Sequence, residues 1–233
     1  MLALEDNYNI LDMFTVSLVY KKLEKIIDDM YKELQQIIVD EIVENINRNA
    51  ELIFDIADID SKLKLYQVNS IMKNPNTNHT ITFELNRNKI RLKNNLKRSL
   101  VDSIENNSDL SMINKQIKNV VYRSVYGRSK GDGAKTLRIF RTEYTRTRTQ
   151  AKLEAVEELE KKGYTVTKSW LYTFEAKVPR PSHLASDGMI ADDNGYFIID
   201  GYKTKGPGLF GIASEDINCR CDTEYYVTRP HDN

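Results

Sequence analysis

At Gly163 the chain changes its hydrophobic period, and that change limits the folds open to it. From Ala134 to Lys162 no glycine or proline intervenes. Apolar residues keep helical spacing there, with Leu137, Phe140, Tyr144, Thr147, Ala151 and Ala155 on one face. Gly163 then stands where a left-handed helix cap is expected, a conformation glycine reaches without steric penalty. Beyond it, Tyr164, Val166, Trp170, Tyr172, Phe174 and Val178 suit a half-buried sheet. Gly195 to Ile199 and Asp222 to Val227 read as two further strands, separated by turns rich in Gly, Pro and Asp. The last 70 residues are therefore expected to form a sheet with loops, backed by the long helix. The chain as a whole is predicted to be α+β: a long-helix N-terminal part followed by a small C-terminal mixed α/β-sheet domain.

Ahead of this region the pattern is helical. Between Leu11 and about Asn49, Leu23, Ile27, Met30, Leu34 and Ile37 step by four and three, and Ile38, Ile42 and Ile46 continue on a neighbouring stripe. The spacing predicts one long helix or a broken pair, packed within the chain or docked on a neighbouring copy. Residues 52–73 repeat the pattern more weakly, with Leu63, Tyr66, Ile71 and Met72 on one side. The run Asn74-Pro75-Asn76-Thr77-Asn78 then favours a turn. The alternation Thr80-Ile81-Thr82-Phe83-Glu84-Leu85 reads as a strand that needs a partner. A basic amphipathic helix is predicted over 88–105 on Ile90, Leu96, Leu100 and Ile104. The next helix is capped by Ser108 or Asp109 and runs through Met112, Ile113, Ile117, Val120 and Val121. Gly127 to Gly133 reads as a flexible loop without the phosphate-loop spacing. Three regions follow: 1–78 helical, 79–133 basic helical, and 134–233 with the long helix and the sheet.

Hydrophobic content of 40% and charged content of 29% describe an ordinary soluble protein. No run of 18 apolar residues predicts a membrane span, and Met-Leu-Ala-Leu-Glu-Asp is not expected to act as a signal peptide. Both cysteines fall in Asn218-Cys219-Arg220-Cys221, too close for an undistorted disulfide, so reduced thiols and a cytoplasmic origin are expected. Net charge is zero but segregated: residues 1–65 carry −7, residues 87–148 carry +11 and residues 149–233 carry −4. The basic middle should face DNA, an acidic partner, or the acidic N-terminal part of its own chain.

A series of motifs runs in fixed order through the last hundred residues. Arg141-Thr142-Glu143 lies on the long helix, Lys168-Ser169-Trp170 on the first strand, and Arg180-Pro181-Ser182-His183 in a turn-rich stretch. Asp187-Gly188 follows four residues past the histidine, then Phe197, Gly206-Pro207-Gly208 and Cys219-Arg220-Cys221. Together these resemble the phage Mu F-like head morphogenesis family, the minor capsid proteins of tailed phages. Where that family often has Asp-x-Arg before the histidine, this chain has Ala176-Lys177-Val178, with Glu175 as the substitute carboxylate. The resemblance implies a non-enzymatic minor head protein, made in the host cytoplasm and carried in several copies inside the capsid at the portal vertex. It would bind the portal protein or the major capsid protein and contact or accompany packaged DNA. The alternatives are a DNA-binding protein with a structural zinc, or a transient assembly factor.

The residues themselves suggest three sites. His183, Cys219 and Cys221 could supply three zinc ligands, with Asp187 or water as a fourth; equally, the histidine could be hydrogen-bonded in a turn beside packed thiols. Arg138, Arg141 and Arg148 share a helix face that could meet DNA or be neutralised by carboxylates such as Glu143. Glu143, Trp170, Asp187 and Gly188 are expected to be structural, Trp170 as a core anchor. A Cys-His hydrolase is disfavoured because nothing marks an oxyanion site. ADP-ribosyl transfer is disfavoured because Glu143 is helical and the sequence stops about a dozen residues after Cys221. His79 and His231 are expected to be ordinary exposed residues.

Overall fold

A computed structural model describes residues 13–75, 77, 79–106, 110–126, 132–173 and 178–230. The elements are α1 (Met13–Ile56), α2 (Leu65–Met72), α3 (Ile81–Glu105), α4 (Leu110–Tyr126), α5 (Asp132–Lys161), β1 (Thr165–Leu171), α6 (Pro181–Ala185), β2 (Phe197–Ile199), β3 (Tyr202–Thr204), α7 (Ala213–Asp216) and β4 (Asp222–Thr228). The fold is α+β, as the change of period at Gly163 requires. Two compact units divide it, and both are discontinuous in sequence: one comprises described residues up to Gln36 with Thr82–Leu137, the other Ile37–Ile81 with the described part of Arg138–Asn233. The sequence regions bounded at 78 and 133 are blocks of adjacent residues, whereas each unit joins segments separated in the chain.

The first unit is helical. Ile27 and Tyr31 of α1 pack with Leu92 and Leu96 of α3, with Ile117 and Val120 of α4 against them. Leu100 and Ile113 extend the core towards Tyr20 and Leu23. Charges around it are complementary: Lys93 reaches Glu24 at 3.3 Å and Asp28 at 2.7 Å, and Lys89 reaches Asp28 at 3.2 Å. The hydrogen bond from Lys93 holds the Asp28 carboxyl below its ordinary range. Part of the basic middle is thus matched by the acidic start of its own chain.

Three sequence expectations change here. Thr80–Leu85 is no strand: Ile81 and Leu85 are buried one helical turn apart at the start of α3, while Phe83 is 43% exposed. The alternation was compatible with both periods, and the apolar series continuing to Leu92, Leu96 and Leu100 decides for the helix. Thr80 forms an isolated bridge to Lys73, closing the turn. In α1 the buried series is Ile27, Tyr31, Ile38, Ile42 and Ile46, and the predicted Met30 and Ile37 face out. Beyond α1, Asp58 takes a left-handed conformation (φ 59°) and ends the helix; Val68 and Ile71 of α2 are buried, while Tyr66 is exposed. The Ser108 and Asp109 caps, residues 127–131 of the predicted loop, and His231 lie outside the described residues.

The second unit holds the sheets. Gly163 ends α5 at φ 86°, its N–H on the Glu160 carbonyl and the Tyr164 N–H on the Leu159 carbonyl, the paired bonds of a glycine-capped helix end. β1 and β4 pair antiparallel, with Trp170 opposite Thr223 and Lys168 opposite Tyr225. β2 and β3 form a separate antiparallel hairpin, so the described residues hold two small sheets in place of one, and β3 has no counterpart in the sequence prediction. Val178 is exposed and outside both sheets, and Phe174, Glu175, Ala176 and Lys177 lie outside the described residues. Trp170, Tyr172, Phe197, Ile199, Phe210, Cys219 and Cys221 form one core, with Ala191 and Ile212 against it.

Gly206-Pro207-Gly208 lies on α5. A Cβ at Gly208 (φ 77°) would stand 3.0 Å from the Arg146 backbone, and one at Gly206 would stand 2.6 Å from Thr149 Cγ2. Thr149 donates to the Pro207 carbonyl at 2.8 Å. Gly208→Ala is therefore expected to destabilise the protein by at least about 1–2 kcal/mol from the left-handed backbone alone, read as a lower urea midpoint. An unchanged midpoint would refute the close approach.

Candidate functional site

The turn that ends in His183 is built by its own sequence. Pro181 opens α6, where its missing N–H costs nothing. Arg180 donates to the Ser214 carbonyl from Nε and to the Ile217 carbonyl from its terminal nitrogen, both at 2.7 Å, fastening α6 to the end of α7. His183 is thereby carried into the core, 1% exposed. Its ring stacks on Phe210 at 5.5 Å between centroids and meets Trp170 edge-on at 5.4 Å.

Opposite it, the Cys219-Arg220-Cys221 segment leads into β4, and both thiols are buried while Arg220 between them is partly exposed. Side chains of α5 hold its backbone at successive turns. Thr142 accepts from the Asn218 N–H at 3.1 Å, Thr145 donates to the Cys219 carbonyl at 2.7 Å, and Arg148 donates to the Cys221 carbonyl at 2.7 Å. Thr173 donates to the Arg220 carbonyl at 2.7 Å. Nδ1 of His183 lies 3.6 Å from each Sγ, and its Nε2 is 3.0 Å from a Glu215 carboxylate oxygen. Hydrogen bonding from Cys221 draws the Cys219 thiol down to about 5, and the same bond with burial pushes Cys221 up. The indole N–H of Trp170 makes no hydrogen bond of good geometry, yet it lies near enough to Cys221 to favour the thiolate.

The other candidate residues have structural places. Asp187 accepts the Tyr172 N–H at 2.8 Å and is absent from the histidine–cysteine cluster. Gly188, at φ 75°, donates to the Trp170 carbonyl at 2.8 Å, so Asp187-Gly188 continues the pairing along β1. Glu143 holds Arg146 at 2.7 Å and accepts from Asn74 at 2.8 Å. Arg148 is half-buried and pairs with Asp222 at 3.4 Å, and Arg141 is exposed. Arg138 is partly exposed, and its carbonyl accepts from Thr142 at 2.9 Å.

Sequence reasoning missed Arg146, Lys152, Glu215 and Asp216. Lys152 reaches Asp222 at 2.8 Å, and Asp216 collects the N–H groups of Phe210, Gly211 and Ile212. A signal for the α5 residues was present: Thr142, Thr145, Thr147 and Thr149 are poor helix formers crowded into one helix, which suggests that their hydroxyls are used.

Lys168 is buried, its Nζ 2.6 Å from the Lys205 carbonyl and 5.5 Å from the Phe197 ring centroid. Burial, and secondarily Lys205, lower its pKa from 10.5 to about 8. The unfolded chain then binds the extra proton between those values, so this group makes stability rise with pH across that window and opposes folding below it. In Lys168→Met this rise, about 3 kcal/mol at full extent, should be missing when its pH–stability profile is subtracted from wild type. Parallel profiles would refute the assignment.

The class defined by this geometry is a small α+β module in which one long helix orders loops around a buried histidine and two thiols. The family model described as Phage Mu protein F like protein matches residues 94–224, more than half of the chain, and the chain belongs to that family. It is a phage head morphogenesis protein in that sense. It is also 44% identical over 87 residues to the NAD(+)--arginine ADP-ribosyltransferase EFV of Enterococcus faecalis (strain ATCC 700802 / V583). That match takes in 37% of this chain and 18% of the relative, so the chain spans less than a fifth of the relative's length. No solved structure matches. Among the described residues no helix is long and apolar enough to cross a membrane.

Proposed function

We propose that this protein is a structural minor head component of a tailed phage, bound in several copies to the portal protein or the major capsid protein at the inner portal vertex. Its role is attachment without turnover of substrate. The observation that carries this reading is the use of the family motifs as internal fastenings. Thr142, Glu143, Arg180, Asp187 and Gly188 are all spent on the protein's own backbone or on neighbouring side chains. Such a module presents a rigid surface. The ADP-ribosyl transfer named for the relative concerns a protein of which this chain matches 18%.

Packaged DNA is the further partner in this reading, met by the exposed Arg141 with Arg138 on α5. The Arg148 guanidinium holds the Cys221 carbonyl and Asp222. Retention on DNA should fall steeply with salt and drop in Arg138→Glu/Arg141→Glu. Mass spectrometry of purified particles and of DNA-free precursor shells tests the main reading. Presence in both, with crosslinks to portal or shell protein, is expected; absence from both overturns it and favours a transient assembly factor.

A further inference from the structure

We propose that His183, Cys219 and Cys221 form a zinc site, with the imidazole Nδ1 and both thiolates as ligands. All three ligand atoms lie within 4.8 Å of one another, and all three residues are buried. The separations fit the ion closely. Zinc–sulfur bonds of about 2.3 Å and a zinc–nitrogen bond of about 2.0–2.1 Å at a tetrahedral angle place nitrogen and sulfur about 3.5–3.6 Å apart. Both Nδ1–Sγ distances are 3.6 Å, within that range.

The surroundings supply what a metal-bound histidine requires. Glu215, itself buried, accepts a hydrogen bond from Nε2–H when Nδ1 is the metal-binding nitrogen, the outer carboxylate that fixes tautomer and ring orientation in zinc sites. Without an ion, one imidazole acceptor faces two thiols; with it, two thiolates and one dication sum to zero charge, which suits a core of Trp170, Phe197 and Phe210. The carbonyls of Cys219 and Cys221 are already fixed by Thr145 and Arg148, so the donors are held in place before the ion arrives. A cleft of about 730 Å³ is lined by His183 and Cys221, together with Arg141, Arg180 and Arg220, and gives the ion and a water ligand a way in. Bound there, zinc ties α6 to the segment ahead of β4 across a core of few large side chains, where metal affinity becomes folding energy.

The test uses the full chain purified without added metal or chelator. Elemental analysis should give one zinc per chain. After removal of zinc, cobalt(II) should produce a thiolate charge-transfer band and visible absorption of tetrahedral intensity, both displaced by zinc. Glu215→Gln should keep the spectrum and weaken zinc binding by about 10–100-fold. Cys219→Ser/Cys221→Ser should lose the band. If that variant does not fold, the wild-type cobalt spectrum decides. Folded wild type that carries no zinc and gives no charge-transfer band overturns the site, as does equal zinc content in a folded Cys219→Ser/Cys221→Ser protein. Neither result bears on the head-protein reading, which particle composition tests separately.

Discussion

Arg146→Ala should cost the second unit about 3–5 kcal/mol, the cost of opening a buried ion pair from one side. Arg146 is 2% exposed, yet its guanidinium serves three directions: Glu143 at 2.7 Å, the Ile71 carbonyl at 2.9 Å, and Gln150. Removing it strips a largely buried carboxylate of its cation and the Ile71 carbonyl of its donor. Lysine should rescue little, because a single ammonium cannot replace a planar fork. In a chain already carrying Glu143→Ala the same substitution should cost markedly less, since the partner it would orphan is gone. Urea unfolding of the four proteins of that cycle checks both statements. A loss under about 1 kcal/mol, or strict additivity, would count against the pair.

Trp170→Ala should be of similar size, about 3–5 kcal/mol, the range for large-to-small changes at a packed aromatic. The indole is 1% exposed and meets three rings: His183 at 5.4 Å, Phe197 at 5.4 Å and Phe210 at 6.0 Å. Its loss opens a cavity that touches both sheets. Trp170→Phe should recover part of the stability. Because Trp170 is the sole tryptophan, wild-type fluorescence reports this core directly, while the variants must be followed by circular dichroism. A midpoint for Trp170→Ala within experimental error of wild type would mean that the ring is not the anchor described.

The long helices were legible because nothing in them contradicts a 3.6-residue period, and Gly163 marked the end of α5 through chemistry that glycine alone handles well. Thr80 to Leu85 was not, since six alternating residues satisfy two periods and only packing of α3 chooses between them. β3 escaped because three residues, Tyr202 to Thr204, make no pattern until the hairpin with β2 exists. At the site, the inventory of His183, Cys219 and Cys221 could be read directly, and their meeting is a fact of geometry. Glu215 could not be foreseen: a carboxylate in a four-residue helix looks like any surface acid until α7 folds against α6. Arg146 was hidden among neighbours of the same type, where no local sign separates a buried guanidinium from exposed ones.

The row of side chains along α5 has a consequence for how this protein comes apart. Thr142, Thr145 and Arg148 grip the cysteine segment, Thr149 the glycine turn and Lys152 the first residue of β4. Those stretches owe their shape to a neighbour formed earlier in the chain. Unwinding about three turns of that rod would loosen every one of them together, so their amides should exchange with deuterium at a shared rate, set by the rod and not by the loops themselves.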